Sequence, residues 1–544
     1  GYSRGIGMMK PTRRLAWLLP AAFLLTTGCG TRDPEGNNGG TDAGEDAIAD
    51  TVDDAEADGE ADAGMDADDA DDAQDGTGDA DADGGGDDRT VCEDSLPQPS
   101  GSAACAVSSG SGDLLFVQGV VLGDDGIYEN GGVLIDRSTG ENATISCVGC
   151  GCGDSTDISD ATVVSCPDSV ISPGLINAHE HLGWGTSSPV PHGDERYDHR
   201  HDWRTGARGS TEINSGASDF SSEAVLYGEL RHLLSGATAI AGSTRGEGPR
   251  GFLRNMSNEV ATGGISVSVD YDTFPLDDTN GTLAADGCSA YRNTPPPSVL
   301  SNDIYLPHIA EGIDPEAQNE YHCLAGINAD GVDVVESNTS VIHGVGMQAT
   351  DIADMAANGS SLVWSPRTNV DLYGNTADVV TYSNYGVNIA LGTDWVVSGS
   401  MNMTRELACV DYLNQNHYSN FFSDRDIWRM ATANGATALG VGDQLGRLAE
   451  GYIADIAIFS ADAGEGYRAV LNASVSDVRL VLRGGSPVVG DADLVQGTAA
   501  DASNCESLDV CGNSRLICAS DDTGLALSDI LAKKDSYEPF YCDD

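Results

Sequence analysis

Two histidines one residue apart close an apolar run, Val170-Ile-Ser-Pro-Gly-Leu-Ile-Asn-Ala-His179-Glu-His181. Side chains alternate faces along a strand, so both imidazoles point the same way and are placed to share one divalent cation. Three later apolar runs also finish in polar residues. Asp303 to His308 is followed by Ile-Ala-Glu311, Ser340 to His343 by Gly, and Asn388 to Leu391 by Gly-Thr-Asp394. Buried strands have little reason to end repeatedly in His or Asp unless those ends meet. The C-terminal ends of parallel strands are where barrel enzymes carry their chemistry.

The elements that must position these residues are readable from texture. Leu114 to Val121, Gly132 to Ile135 and Ala161 to Val164 are short β-like runs separated by Gly and Asp. From Ile171 apolar strands alternate with helical stretches. Thr238–Ala241, Ile304–Ile309, Ser340–His343, Leu362–Ser365 and Val387–Leu391 read as strands. Ser222–Leu234, Asp351–Ala357 and Asp424–Leu439 read as helices. That alternation, over about 270 residues, predicts an α/β fold, a (β/α)8 TIM barrel. β-like texture returns after Gly446, so both flanks are expected to complete a small β-sandwich domain.

Composition sets the surroundings. The 544 residues carry a formal charge of −59, which argues against nucleic acid as a partner. Between Asp33 and Asp88 there are 23 acidic residues and no Lys or Arg. Such a segment cannot bury enough surface to offset its ordering entropy, so a disordered acidic tether is expected. Before it, with Met8 or Met9 as initiator, Lys10, Arg13 and Arg14 flank an apolar stretch from Leu15 to Leu25. This is the pattern of an export signal. Leu25-Thr-Thr-Gly-Cys29 resembles a bacterial lipobox with Cys29 lipidated, despite Thr26 where an aliphatic residue is usual. Gly30 after it points to the outer membrane of the cell envelope. Fourteen cysteines agree with an exported, disulfide-forming chain. Cys147, Cys150, Cys152 and Cys166 form one cluster and Cys505, Cys511, Cys518 and Cys542 another. With Cys29 lipidated, Cys409 is the expected unpaired thiol. The expected segments are 1–29 (signal), 30–90 (tether), 91–170 (first part of the small β domain), 171–442 (barrel), 443–500 (second part) and 501–544 (Cys-rich extension).

Taken together, Pro173 to His181, His308-Ile-Ala-Glu311, His343-Gly and Leu391-Gly-Thr-Asp394 resemble the amidohydrolase superfamily, in the order that family uses. Ala431 to Gly440 and Gly446 to Asp455 are similar to its closing segment. His308-x-x-Glu311 is similar to the branch with triazine hydrolases and guanine deaminase, which carries one metal. The only lysines are Lys10, Lys533 and Lys534, so a lysine-bridged metal pair is excluded, whereas a Glu- or Cys-bridged pair is not. The resemblance implies that His179, His181, His308 and Asp394 bind one divalent metal, Zn²⁺ first and Fe²⁺ second. It implies Asp394 as general base, His343 as a group orienting water or substrate, and Glu311 as a proton shuttle. The implied reaction is hydrolysis of a non-peptide C–N bond in a small nitrogenous compound, by amide hydrolysis or deamination. Trp184, Trp395, Arg367 and Asn369 fall near strand ends and are candidate substrate contacts. His199-Arg-His201 reads as a solvated loop or lid. Two rival readings are a surface-tethered ligand-binding lipoprotein without catalysis and a metallopeptidase.

Overall fold

The computed structural model describes residues 88–542, apart from 94, 102, 155, 245–250, 463 and 535–536. The signal segment, Cys29 and nearly all of the acidic tether lie outside the described residues.

The α/β part is built on eight parallel strands in chain order: β1 (Leu175–Asn177), β2 (Ala237–Ile240), β3 (Arg254–Asn255), β4 (Val269–Asp272), β5 (Ile304–Ile309), β6 (Ser340–His343), β7 (Ser361–Trp364) and β8 (Ile389–Leu391). β2, β5, β6 and β7 are buried along their whole length. Strands covered on both faces need near-continuous apolar runs, which these sequences supply. β4 to β8 form one parallel sheet and β1 to β3 another. Backbone contacts join them, with the Ala178 amide donating to the Leu391 carbonyl at 2.9 Å and Glu180 bridging to Asp394.

The expected closed barrel is not closed. No ladder joins β3 to β4 among the described residues. The Asn255 amide donates at 3.0 Å to the Ala261 carbonyl of the turn that follows it. Among the described residues β3 therefore ladders with β2 alone, and its Asn255 amide is taken by the turn that follows. The expected helix Asp424–Leu439 is two helices, Asp424–Met430 and Ala433–Ala438. The Ala431 carbonyl between them accepts from the Ile176 amide at 2.8 Å, which ties the break to β1.

The β-like flanks pair as one 11-stranded sheet, where two facing sheets were expected. Within it Thr162–Pro173 runs antiparallel to Ile456–Ser460 and parallel to Leu114–Leu122. Leu115, Val117, Val133, Ile456, Ile458 and Leu480 fill its core. Glu506–Val510 and Asn513–Ile517 extend the same sheet at one edge. Six disulfides have both partners among the described residues: Cys92–Cys150, Cys105–Cys166, Cys147–Cys152, Cys288–Cys323, Cys505–Cys518 and Cys511–Cys542. Cys409 is also disulfide-bonded, which corrects its expected role as a free thiol.

A buried ion pair locks the parallel strands to the flanking sheet. Arg254, on β3, makes a two-pronged contact with Asp455 at 2.8 and 3.0 Å, and both side chains are almost fully buried. Removing one partner strands the other charge without water, at a cost of about 3–5 kcal/mol. Asp455→Ala is therefore expected to lower unfolding free energy by about that amount in a urea titration. A loss below about 1 kcal/mol, the range of an exposed pair, would contradict this role.

Candidate metal centre

The site begins where β1 runs past Asn177. The backbone stays extended, with the Glu180 amide donating to the Ala241 carbonyl at 2.9 Å and the His181 amide to the Asp394 carbonyl at 2.8 Å. Alternation then puts His179 and His181 on one face, as their spacing predicts. Glu180 takes the opposite face, where it accepts from the Thr393 hydroxyl and faces His232 Nε2 at 3.4 Å. The Asp394 amide donates to the His179 carbonyl at 3.0 Å, which fastens the end of β8 to this strand. The approach is close. A Cβ on Gly392 would sit 2.5 Å from the His179 Cβ, so only glycine fits there. Asp394 and His343 hold left-handed backbone, at φ 66° and 74°. Such conformations are costly for non-glycine residues and collect at functional sites.

Four donor atoms converge. Asp394 Oδ1 lies 3.4 Å from His179 Nε2 and 3.4 Å from His181 Nε2. His308 Nε2 lies 3.4 Å from His181 Nε2. Ligands at about 2.0–2.1 Å from a tetrahedral ion sit about 3.3–3.4 Å apart, so these three spacings match; the donor atoms of His179, His181 and His308 lie within 4.8 Å of one another, as do those of His179, His343 and Asp394. Tautomers agree for His308, whose Nδ1 meets the Asp272 carbonyl at 3.2 Å. A carbonyl only accepts, so Nδ1 carries the proton and Nε2 offers its lone pair. His179 Nε2 is buried and lacks a hydrogen-bond partner, while Nδ1 contacts the Ser365 hydroxyl at 3.2 Å. Burial pushes His181 down to about 4, and pushes His179 and His308 well below the usual imidazole range. Burial raises the Asp394 carboxyl well above its usual range. Three neutral imidazoles and a desolvated carboxyl are a poor cluster alone and a fitting one around a divalent cation.

His343 joins the cluster in a different role. The Trp364 indole donates to the Thr376 hydroxyl at 2.6 Å, and that hydroxyl donates to Asn369 Oδ1 at 3.3 Å. This orients the amide so that Asn369 Nδ2 donates to His343 Nδ1 at 3.2 Å. The ring proton therefore sits on Nε2, making that nitrogen a donor rather than a ligand. Its Nε2 is 3.6 Å from Glu311 Oε2. Glu311 is buried, and burial raises its carboxyl.

Above the cluster lies a cavity of about 580 Å³. Trp184, Trp203 and Phe220 from one long loop region, Phe274 from another, and Trp395 give it aromatic walls. Trp184 and Trp395 stand about one ring width from His181, at centroid distances of 5.9 and 6.1 Å. Arg367 does not line this cavity. Its guanidinium bonds to Ser400 Oγ at 2.6 Å and to the Arg405 carbonyl, away from the site. Asn369 supports His343 from behind instead of meeting the cavity. His199 and His201 are buried, which corrects the solvated-loop expectation. Their Nε2 atoms face Glu320 at 3.3 Å and Asp278 at 2.8 Å, around the buried Arg200.

The Amidohydrolase family model matches residues 315–488. Over 384 residues the chain is 28% identical to the 5-methylthioadenosine/S-adenosylhomocysteine deaminase of Halobacterium salinarum, covering 65% of this chain and 85% of that protein. The enzyme of the same name from Pyrococcus abyssi is 31% identical over 163 residues, 28% of this chain and 37% of that protein. The match thus spans little more than a third of the latter relative. A triazine hydrolase from Arthrobacter aurescens shares the fold at a TM-score of 0.50 and 20% identity, covering 70% of this chain and 95% of the other. Over these spans the chain is similar to amidohydrolases in sequence and in fold. That similarity and the donor geometry agree on a divalent metal centre.

Sequence reading missed Ser365 and Tyr373. Ser365, Asn369 and Tyr373 fall at i, i+4 and i+8 across the helix Pro366–Tyr373 that follows β7. Three polar residues at that spacing, directly after a site strand, were the available signal.

Two outcomes follow. His308→Ala is expected to lose metal on dialysis, whereas His343→Ala retains about one ion per chain by elemental analysis. Loss of metal from both would overturn the tautomer assigned to His343. The second concerns the buried Glu406, which accepts from the Arg367 amide at 3.3 Å and has one unpartnered oxygen. Burial pushes it from 4.5 up to about 7. A raised carboxyl favours folding below its unfolded pKa, and that contribution is lost as pH rises through about 7. Glu406→Gln is expected to shrink the difference in unfolding free energy between pH 5 and pH 8. An unchanged difference would contradict the assignment.

Proposed function

We propose that this chain is a metal-dependent hydrolase acting on a non-peptide C–N bond, and that its reaction is removal of an exocyclic amino group from a nitrogenous ring. The observation that carries this reading is the meeting of four metal-donor atoms with His343 Nε2–H and Glu311 on the floor of an aromatic cavity. The deaminase relatives support the same chemistry. Eight parallel strands in chain order support a (β/α)8 barrel, interrupted after β3, as its scaffold.

A divalent cation held by His179, His181, His308 and Asp394, with zinc the best fit, would lower the pKa of water so that hydroxide is available near neutral pH. The chain's own groups do the rest. Asp394 presents a second carboxyl oxygen to take the proton of the attacking water. His343 Nε2–H donates to the oxygen that adds to the ring carbon. Glu311 donates a proton to the adjacent ring nitrogen. The C–N bond to the amino group breaks, ammonia leaves with the proton taken up by Asp394, and the hydroxyl proton returns to Glu311 as the ring keeps a carbonyl. The aromatic walls suit a flat ring by stacking and keep bulk water off the site.

Export to an oxidising compartment is part of this reading. The six disulfides support it, because such bridges do not persist in a reducing cytosol. Attachment through Cys29 remains a reading of the sequence.

The test is ammonia release by the zinc-loaded protein, with 5-methylthioadenosine, other aminated purines and pyrimidines, and cyclic amides as the panel. Turnover of an aminated ring, abolished by chelation and restored by zinc, is expected. Ring opening of cyclic amides without ammonia release would replace deamination by amide hydrolysis. Metal-free protein that binds these compounds without turning them over would favour a binding function.

A further inference from the structure

One face of a short helix braces three different parts of the site. Ser365 Oγ contacts His179 Nδ1 at 3.2 Å, Asn369 Nδ2 donates to His343 Nδ1 at 3.2 Å, and the Tyr373 hydroxyl donates to Glu311 Oε1 at 2.7 Å. Ser365 is the residue before the helix and Tyr373 its last residue. The Tyr373 oxygen in turn accepts from the Trp203 indole N–H at 2.9 Å. All these side chains are buried or nearly so.

The last contact decides which carboxyl oxygen of Glu311 is free. A phenol held between an indole donor and a carboxyl acceptor has one place for its proton, on the line to Glu311 Oε1. Burial beside Glu311 also holds the phenol well above its usual range, so it remains a donor. With Oε1 engaged, the other oxygen, Oε2, is the one that faces His343 Nε2 at 3.6 Å and Arg200 Nη1 at 3.9 Å.

We propose that Tyr373 is a positioning residue: held by Trp203, its hydroxyl occupies Glu311 Oε1 and directs Oε2, with the proton it carries, toward the cavity floor. This rests on the proton-donating role given to Glu311 above. Tyr373 touches neither the metal donors nor the cavity contents, and acts only through Glu311.

Two measurements test it. Infrared difference spectra of the zinc-loaded protein against Glu311→Gln isolate the Glu311 carboxyl band without any need for turnover. Tyr373→Phe is expected to shift that band, because it removes the hydrogen bond to Glu311 Oε1 along with the acceptor of the Trp203 N–H. With 5-methylthioadenosine, or the best probe of the panel above, Tyr373→Phe is expected to lower kcat about tenfold. KM and zinc content should hold, which a merely structural defect would not allow. An unshifted band, a wild-type kcat, or a loss explained by lost zinc or raised KM overturns the proposal. Should Glu311→Gln itself turn over normally, the role of Glu311 fails, while the infrared band still reports whether Tyr373 holds it.

Discussion

The site depends on the backbone pairing between the end of β8 and the extension of β1. The Asp394 amide meets the His179 carbonyl and the His181 amide meets the Asp394 carbonyl. Those two bonds fix the carboxylate between two imidazoles that are themselves on one face of the strand. The left-handed backbone at Asp394 and the missing side chain at Gly392 are the local conditions for so close an approach. His308, from three strands further round, then completes the donor set. Without the first contact the remaining donors would be separate buried histidines, each with no charge to offset its desolvation.

Buried polar groups of this density hold their places only through support from outside. Each site histidine whose second nitrogen has a partner uses it to settle orientation: Asp272 behind His308, Asn369 behind His343, Ser365 beside His179. Three of the supports, Ser365, Asn369 and Tyr373, come from one helix face. The helix follows β7, a strand that itself contributes no metal donor. A strand that looks silent in the sequence is therefore the one that organises the rest.

Much of this was readable from the chain. Strand ends in His or Asp were visible because polar residues stand out at the close of apolar runs, and alternation placed His179 and His181 correctly. The pairing of both flanks followed from their similar texture. What escaped had a physical cause in each case. Arg367 follows a site strand, but its guanidinium turns away from the cavity to the buried Ser400, which spacing cannot show. The polar run around His199 looked solvated, yet Arg200 pairs with Asp278 and Glu320 and the whole cluster is buried. At the opening between β3 and β4 the Asn255 amide bonds within its own turn, and at the split the Ala431 carbonyl bonds to Ile176 of β1. Hydrogen bonds between distant backbones leave no pattern in composition or periodicity.

The central claim is that three imidazole nitrogens and one carboxylate oxygen surround a single ion. X-ray absorption at the zinc edge of the loaded protein reads this directly. The account predicts a first shell of nitrogen and oxygen only, at about 2.0–2.1 Å, with the outer-ring signature of three imidazoles. A shell with sulfur at about 2.3 Å, or one in which imidazole scattering is absent, would contradict it.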